Sequence, residues 1–182
     1  SAAVVPVENS VEGGVTATLD ALWAHPDLCI RRALVLPIRH ALLGSAGALK
    51  EVTEVLSHPQ AGAQCAGWLA KHLPQALPLP TASTAEAARM VGGSRFRAAI
   101  ASRQAMQEHG LEELGYPVND VSGNCTRFLM LQRGERLQHG DIASLAFSLH
   151  RKAPGALQEA LACIAQQGLH MRRLESRPSK RE

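Results

Sequence analysis

Short apolar runs that each stop at a knot of polar residues, with helix-spaced stretches between them, constrain this chain more than any other feature. Ala2 to Val7 reads as a strand that stops at Glu8-Asn9-Ser10, and Val15, Leu19, Leu22 and Trp23 then recur at the spacing of one helix face. Ile30 to Leu43 holds two apolar runs broken by Pro37 and Arg39-His40, which suits two strands better than one helix. Val52 to Leu56 is the next strand and stops at Ser57-His58-Pro59-Gln60. A helix with Ala61, Cys65, Trp68, Leu69 and His72 on its buried face follows, and Pro74 ends it. Ser83-Thr84-Ala85-Glu86 has the spacing of a capping box and predicts a helix to about Val91. Ala98 to Ala101 reads as a strand, Arg103 to His109 as a helix closed by Gly110, and Phe128 to Leu131 as a strand. Strands alternating with helices place the chain in the α/β class.

The pattern pauses over Gly134 to Asp141, which is polar and bears glycine, and then restarts. Ile142 to Leu149 reads as a strand, Pro154-Gly155 as a break, Leu157, Leu161, Ile164 and Ala165 as one helix face closed by Gly168, and Leu169 to Leu174 as a second strand. Two domains are therefore expected, residues 1–133 and 142–182. A strand-helix-strand unit of the second kind is too small to fold well without further chain or a partner.

Composition decides which functions to set aside. Apolar residues make up 46% of the 182 residues but aromatics only 3%, so Ala, Leu and Val must fill the core of a globular protein. The net charge of +3 gathers partly in Arg172, Arg173, Arg177, Lys180 and Arg181, a basic tail without the interleaved aromatics of a nucleic-acid reader. No nucleic-acid partner is expected. Cys29, Cys65, Cys125 and Cys163 form no CxxC pair, which speaks against a zinc knuckle and for free thiols in a reducing compartment. The eight histidines show no HExxH spacing, so no metal is expected. No apolar run reaches membrane-spanning length, and a cytoplasmic setting is the expectation.

Three polar clusters lie at strand ends, where α/β proteins gather ligands: Glu8-Asn9-Ser10, Ser57-His58-Pro59-Gln60 with Gln64, and Asn124-Cys125-Thr126-Arg127. Hydroxyls, amides and a guanidinium together suit a small carboxylate. Singly, each has a plainer reading. Glu8, Asn9 and Ser10 could cap the next helix, His58 could shape a turn before Pro59, Arg127 could pair with a surface acid, and Asp120 and Asn124 look like turn formers.

Taken in order, these stretches resemble the prephenate dehydratase family. The likeness runs from Val5 to Leu131 and rests on Pro6-Val7-Glu8-Asn9-Ser10 with Glu12-Gly13-Gly14, Ser57-His58-Pro59-Gln60 with Gln64-Cys65, Ser83 to Ala88, Ala98 to Ala101, and Asp120 with Asn124-Cys125-Thr126-Arg127-Phe128. It implies two α/β subdomains similar to periplasmic binding proteins, with a cleft between them. It further implies conversion of prephenate to phenylpyruvate without a cofactor. By the resemblance Thr126, Arg127 and Phe128 are the catalytic wall, and Asn9, Ser10, Gln60, Gln64 and Thr84 bind substrate. Arogenate dehydratase, or a small-carboxylate-binding fragment without turnover, are the alternatives.

The second segment resembles the start of an ACT regulatory domain, ferredoxin-like and βαβ, through Gly155-Ala156-Leu157 and Glu175-Ser176-Arg177-Pro178. Those motifs imply a phenylalanine site between subunits, feedback inhibition by L-phenylalanine, and a homodimer or homotetramer. Against the family pattern, a Gly-Pro-x-Gly-Thr segment is expected ahead of Pro6, and more of the ACT domain after Pro178. Plainer readings of Gly155 and Glu175 are a turn and a local ion pair with Arg177.

Overall fold

The computed structural model describes residues 1–45, 47, 49–135, 139–149 and 154–178. The chain divides into two compact units, Ser1–Arg136 and Leu137–Glu182.

The first unit holds two sheets. In one, β1 (Ala2–Asn9), β2 (Gly13–Gly14), β3 (Leu28–Pro37) and β9 (Cys125–Arg133) lie in the order β2-β1-β9-β3, all antiparallel. The register of β1 shifts between Pro6 and Glu8, so Val7 is a bulged residue. Val7 is buried with Leu129 and Leu131, and Leu19 and Leu22 of α1 (Thr16–Ala24) close over them. Thr18 holds the helix there: its Oγ1 donates to the Pro6 carbonyl at 2.6 Å, beside the bulge.

The other sheet takes β4 (Ala41–Gly44), β5 (Glu54–Ser57), β6 (Leu77–Pro80), β7 (Arg97–Ala101) and β8 (Glu112–Gly115) in the order β6-β5-β7-β4-β8. Strands β5, β6 and β7 run parallel, and β4 is antiparallel to its neighbours. Alternation sends Leu43, Leu56, Ala99 and Ala101 to one face and Leu42, Val55, Ala98 and Ile100 to the other. The first face packs on α4 (Thr84–Val91) and α5 (Arg103–His109), the second on α2 (Pro59–Ala63) and α3 (Ala66–His72). Alanines on β7 meet Ala87 and Ala88 of α4, all fully buried, so close helix-sheet approach supplies the density that aromatics do not. The chain crosses between the sheets twice, over residues 38–40 and 116–124, and Ile38 N–H donates to the Asn124 carbonyl at 2.8 Å to bind one crossover to the other.

Several expectations need correction. The helix after Pro59 is two helices, broken at Gln64-Cys65, because the Asp120 carboxylate accepts from Gly67 N–H at 2.8 Å and Trp68 N–H at 2.7 Å and starts α3 anew. His72 is exposed, stacked on Trp68 at 4.2 Å. Strand β6, Leu-Pro-Leu-Pro, goes unforeseen because proline discourages a strand; at a sheet edge its missing N–H does no harm. In the second unit α6 (Ala156–Gln166) forms as expected, but 142–149 and 169–174 make no ladder among the described residues. Their apolar residues stay exposed, Leu145 at 73% and Leu169 at 64%, and a segment is a strand only when another pairs with it.

Candidate functional site

Pairing of β1 with β9 sets Asn9 directly opposite Thr126. Just beyond, Ser10 N–H donates to the Cys125 carbonyl at 2.9 Å and Ser10 Oγ accepts from Cys125 N–H at 3.0 Å, which holds the two strand ends together.

The Asn9 amide has all its hydrogen-bonding capacity filled. Its Oδ1 accepts from the N–H groups of Val11 at 2.9 Å and Glu12 at 3.0 Å, which fixes which way the amide faces. Its Nδ2 then donates to Thr126 Oγ1 at 2.9 Å and to Asn124 Oδ1 at 3.0 Å. Since Thr126 Oγ1 is an acceptor here, the hydroxyl's own hydrogen is left for a ligand.

Asn124 is only 3% exposed and joins the strand ends to the other sheet. Its Oδ1 also accepts from Ser10 Oγ at 3.3 Å, and its Nδ2 donates to Gln64 Oε1 at 2.9 Å. Gln64 Nε2 in turn donates to Glu12 Oε1 at 3.0 Å. Bonds from Gln64 and Gln60 hold the Glu12 carboxyl below the usual carboxylate range. His40, on the first crossover, has its pKa pushed down by burial, with a bond to Gln64 opposing. Its backbone N–H donates to Asn119 Oδ1 at 2.6 Å.

The structure thus brings together Asn9, Ser10, Gln64 and Thr126, with Gln60 reaching Glu12. Thr84 opens α4 after β6, at the same edge of the parallel strands as Gln60, and takes no part in the hydrogen-bonded cluster. The Thr126-Arg127-Phe128 triplet lies within β9, so Thr126 and Phe128 share one face and Arg127 takes the other, where its Nε stands 3.7 Å from Glu8. In the second unit Gly155 precedes α6 with φ +86°, Ala156 and Leu157 open that helix, and Glu175 pairs with Arg173. Ser176 and Pro178 lie outside regular structure.

Sequence reading places Asn124 in a polar cluster and Glu12 in a family motif without giving either a role in the site, and it gives none to His40. A loop asparagine reads as a turn former, and its burial shows only in three dimensions. Among the described residues no three His, Cys, Asp or Glu side chains gather as metal ligands do.

A family model for prephenate dehydratase matches residues 1–136. The chain is 39% identical to the bifunctional chorismate mutase/prephenate dehydratase of Stutzerimonas stutzeri, over 97% of this chain and 48% of that protein. Among solved structures, the prephenate dehydratase of Arthrobacter aurescens in complex with L-Phe is 36% identical at a TM-score of 0.82, over 98% of this chain and 61% of that one. GqqA, described as a quorum quenching acylase, is 31% identical at a TM-score of 0.77, over 98% of this chain and 66% of that one. The chain spans about half the length of the bifunctional relatives it matches. A matching model over most of the chain, and motifs that build one cluster from both sheets, place this chain in the prephenate dehydratase family.

Proposed function

We propose that this chain carries the reacting site of a prephenate dehydratase, converting prephenate to phenylpyruvate without a cofactor. One observation carries the reading: the saturated Asn9 amide donates to Thr126 Oγ1, which leaves the hydroxyl's own hydrogen for a departing hydroxyl group to accept. In that reaction the bond between ring and carboxylate breaks, its electron pair enters the ring, and the opposite ring C–O bond opens. Carbon dioxide and hydroxide leave, the latter taking a proton to become water, and gain of aromaticity drives the step. An alcohol does not titrate near neutral pH, so Thr126 stabilises the leaving oxygen as a donor or relays a proton to it. Ser10, Gln60, Gln64 and Thr84 would bind substrate, with Phe128 on the Thr126 face. Arg127 supports the wall from behind through Glu8.

Acyl transfer, the chemistry named for GqqA, would need a hydroxyl activated by an adjacent base. Thr126 has an amide N–H aimed at its oxygen instead, which favours dehydration. The two sheets joined by two crossovers suit subdomains that close on a ligand, like periplasmic binding proteins. Residues 142–182 are read as part of an ACT domain, with Gly155, Ala156, Leu157 and Glu175, Ser176, Arg177, Pro178 at a phenylalanine site in a homodimer or homotetramer. The L-Phe complex of the Arthrobacter relative supports that reading.

The test follows phenylpyruvate release by the full-length protein from prephenate and from arogenate. Thr126→Ala is expected to lose about 100-fold or more in kcat with little change in KM, and Thr126→Ser to retain turnover. Near-normal turnover by Thr126→Ala would remove the assignment, and preference for arogenate would rename the substrate.

A further inference from the structure

We propose that Asn124 is the positioning residue of this site: it helps fix the Asn9 amide that bonds the Thr126 hydroxyl, and ties that setting to Gln64, at the break between α2 and α3 beside the other sheet. The proposal rests on the dehydratase reading for its consequence in turnover, but its structural content stands on the hydrogen bonds alone.

Three bonds run in one sense from Asn9 to Glu12, and a fourth branches from Asn9 to Thr126. Glu12 Oε1 accepts from Gln64 Nε2 at 3.0 Å, Gln64 Oε1 from Asn124 Nδ2 at 2.9 Å, Asn124 Oδ1 from Asn9 Nδ2 at 3.0 Å, and the second hydrogen of Asn9 goes to Thr126 Oγ1 at 2.9 Å. Each amide spends its oxygen on the previous donor and its nitrogen on the next acceptor, so none can turn over alone without setting donor against donor. Asn124 is the buried member, at 3% exposure, and water cannot readily replace it. Its backbone carbonyl holds Ile38 of the other crossover at 2.8 Å, so the side chain hangs from the point where the two crossovers are bound together. The N–H groups of Val11 and Glu12 hold the Asn9 oxygen and Asn124 holds one of its hydrogens; without the Asn124 oxygen that hydrogen loses its acceptor and the amide tilts about its oxygen, off Thr126. The Asn124 side chain makes its hydrogen bonds to Asn9, Ser10 and Gln64 and acts on Thr126 through Asn9.

Aspartate at this position keeps an oxygen for Asn9 and Ser10 but cannot donate to Gln64, so it separates positioning of Thr126 from the tie between sheets. In the full-length protein Asn124→Ala is expected to lower kcat about tenfold or more with KM for prephenate nearly unchanged. Asn124→Asp should recover most of that loss. Equal losses in both variants, or a rise in KM at constant kcat, would overturn the proposal and leave Asn124 as a pin between sheets. The Asn9 side-chain amide signal in a nitrogen-15 NMR spectrum is read alongside. It should move and exchange faster in Asn124→Ala but stay near its original place in Asn124→Asp. If the unaltered protein releases no phenylpyruvate, the dehydratase reading fails by itself. The Asn9 signal then decides, and an unmoved signal in Asn124→Ala refutes the positioning role.

Discussion

His40 is a half-buried side chain at the rim of the polar cluster, and burial pushes its pKa below the usual 6.5 while its bond to Gln64 opposes the shift. The folded protein therefore favours the neutral ring, and as pH falls through 6.5 the unfolded chain takes up the proton first. The contribution of His40 to stability is complete above that pH and is lost as pH falls toward the folded-state pKa. Melting temperature should drop as pH falls below 6.5, and drop less steeply in His40→Gln, which keeps a donor for Gln64. Parallel slopes for the two proteins would clear His40 of the role. At this scale the sequence motifs announce Asn9, Ser10, Gln64 and Thr126, because polar residues at strand ends in a recognised order are visible in one dimension. The fillings of their hydrogen bonds are not. Asn124 and Glu12 look like ordinary loop residues until folding brings them within 3.0 Å of partners 52 or more positions away. Arg127 is a different case, since strand alternation alone separates it from Thr126 and Phe128.

Asp120 shows how an element boundary can be written far from the element. Its two carboxylate oxygens take the N–H groups of Gly67 and Trp68, and its own N–H donates to the Gln64 carbonyl at 2.9 Å, so one loop residue ends α2 and starts α3. Apolar spacing from Ala61 to His72 is continuous, and nothing within those residues foretells the break. Removing the cap by Asp120→Ala is expected to cost about 1 to 2 kcal/mol, read as a lower urea midpoint, with Asp120→Asn closer to the original. Unchanged midpoints would mean that water serves those two N–H groups as well. Gly67 belongs to the same device, because a Cβ there would stand 3.0 Å from Asp120 Oδ1 and press on the cap. Buried strands β4, β5 and β7 are the elements read most easily, since apolar runs on a sheet covered on both faces need no partner to be recognised. Edge strands β6 and β8 are the hardest: one is half proline and the other is mostly exposed, and hydrogen bonding to a neighbour alone makes them strands.

At the scale of the whole molecule the two units pose unlike problems. Ser1–Arg136 packs helices on both faces of one sheet and α1 on the other, whose strands leave Val4, Leu34, Val35 and Leu36 45% to 56% exposed, and its α/β character follows from local pattern. In Leu137–Glu182 the described residues hold one helix, α6, and leave Leu145, Leu149, Leu169 and Leu174 from 45% to 73% exposed, so these apolar residues ask for a partner to pack against. A subunit interface of the kind proposed for the phenylalanine site would supply such cover, and would make ligand binding and assembly one event. Gly155 offers the way to test this. With φ at +86° it takes a left-handed conformation that favours glycine, and a Cβ added there meets nothing within 4 Å. Gly155→Ala therefore strains the turn by about 1 kcal/mol without blocking space, and should displace the N–H groups that open α6. In the full-length protein we expect the phenylalanine concentration for half-inhibition to rise several-fold, with calorimetry showing a matching loss of affinity. An unchanged heat of binding in Gly155→Ala would remove this turn from the phenylalanine site, whereas no heat even from the unaltered protein at millimolar phenylalanine would remove the regulatory reading itself.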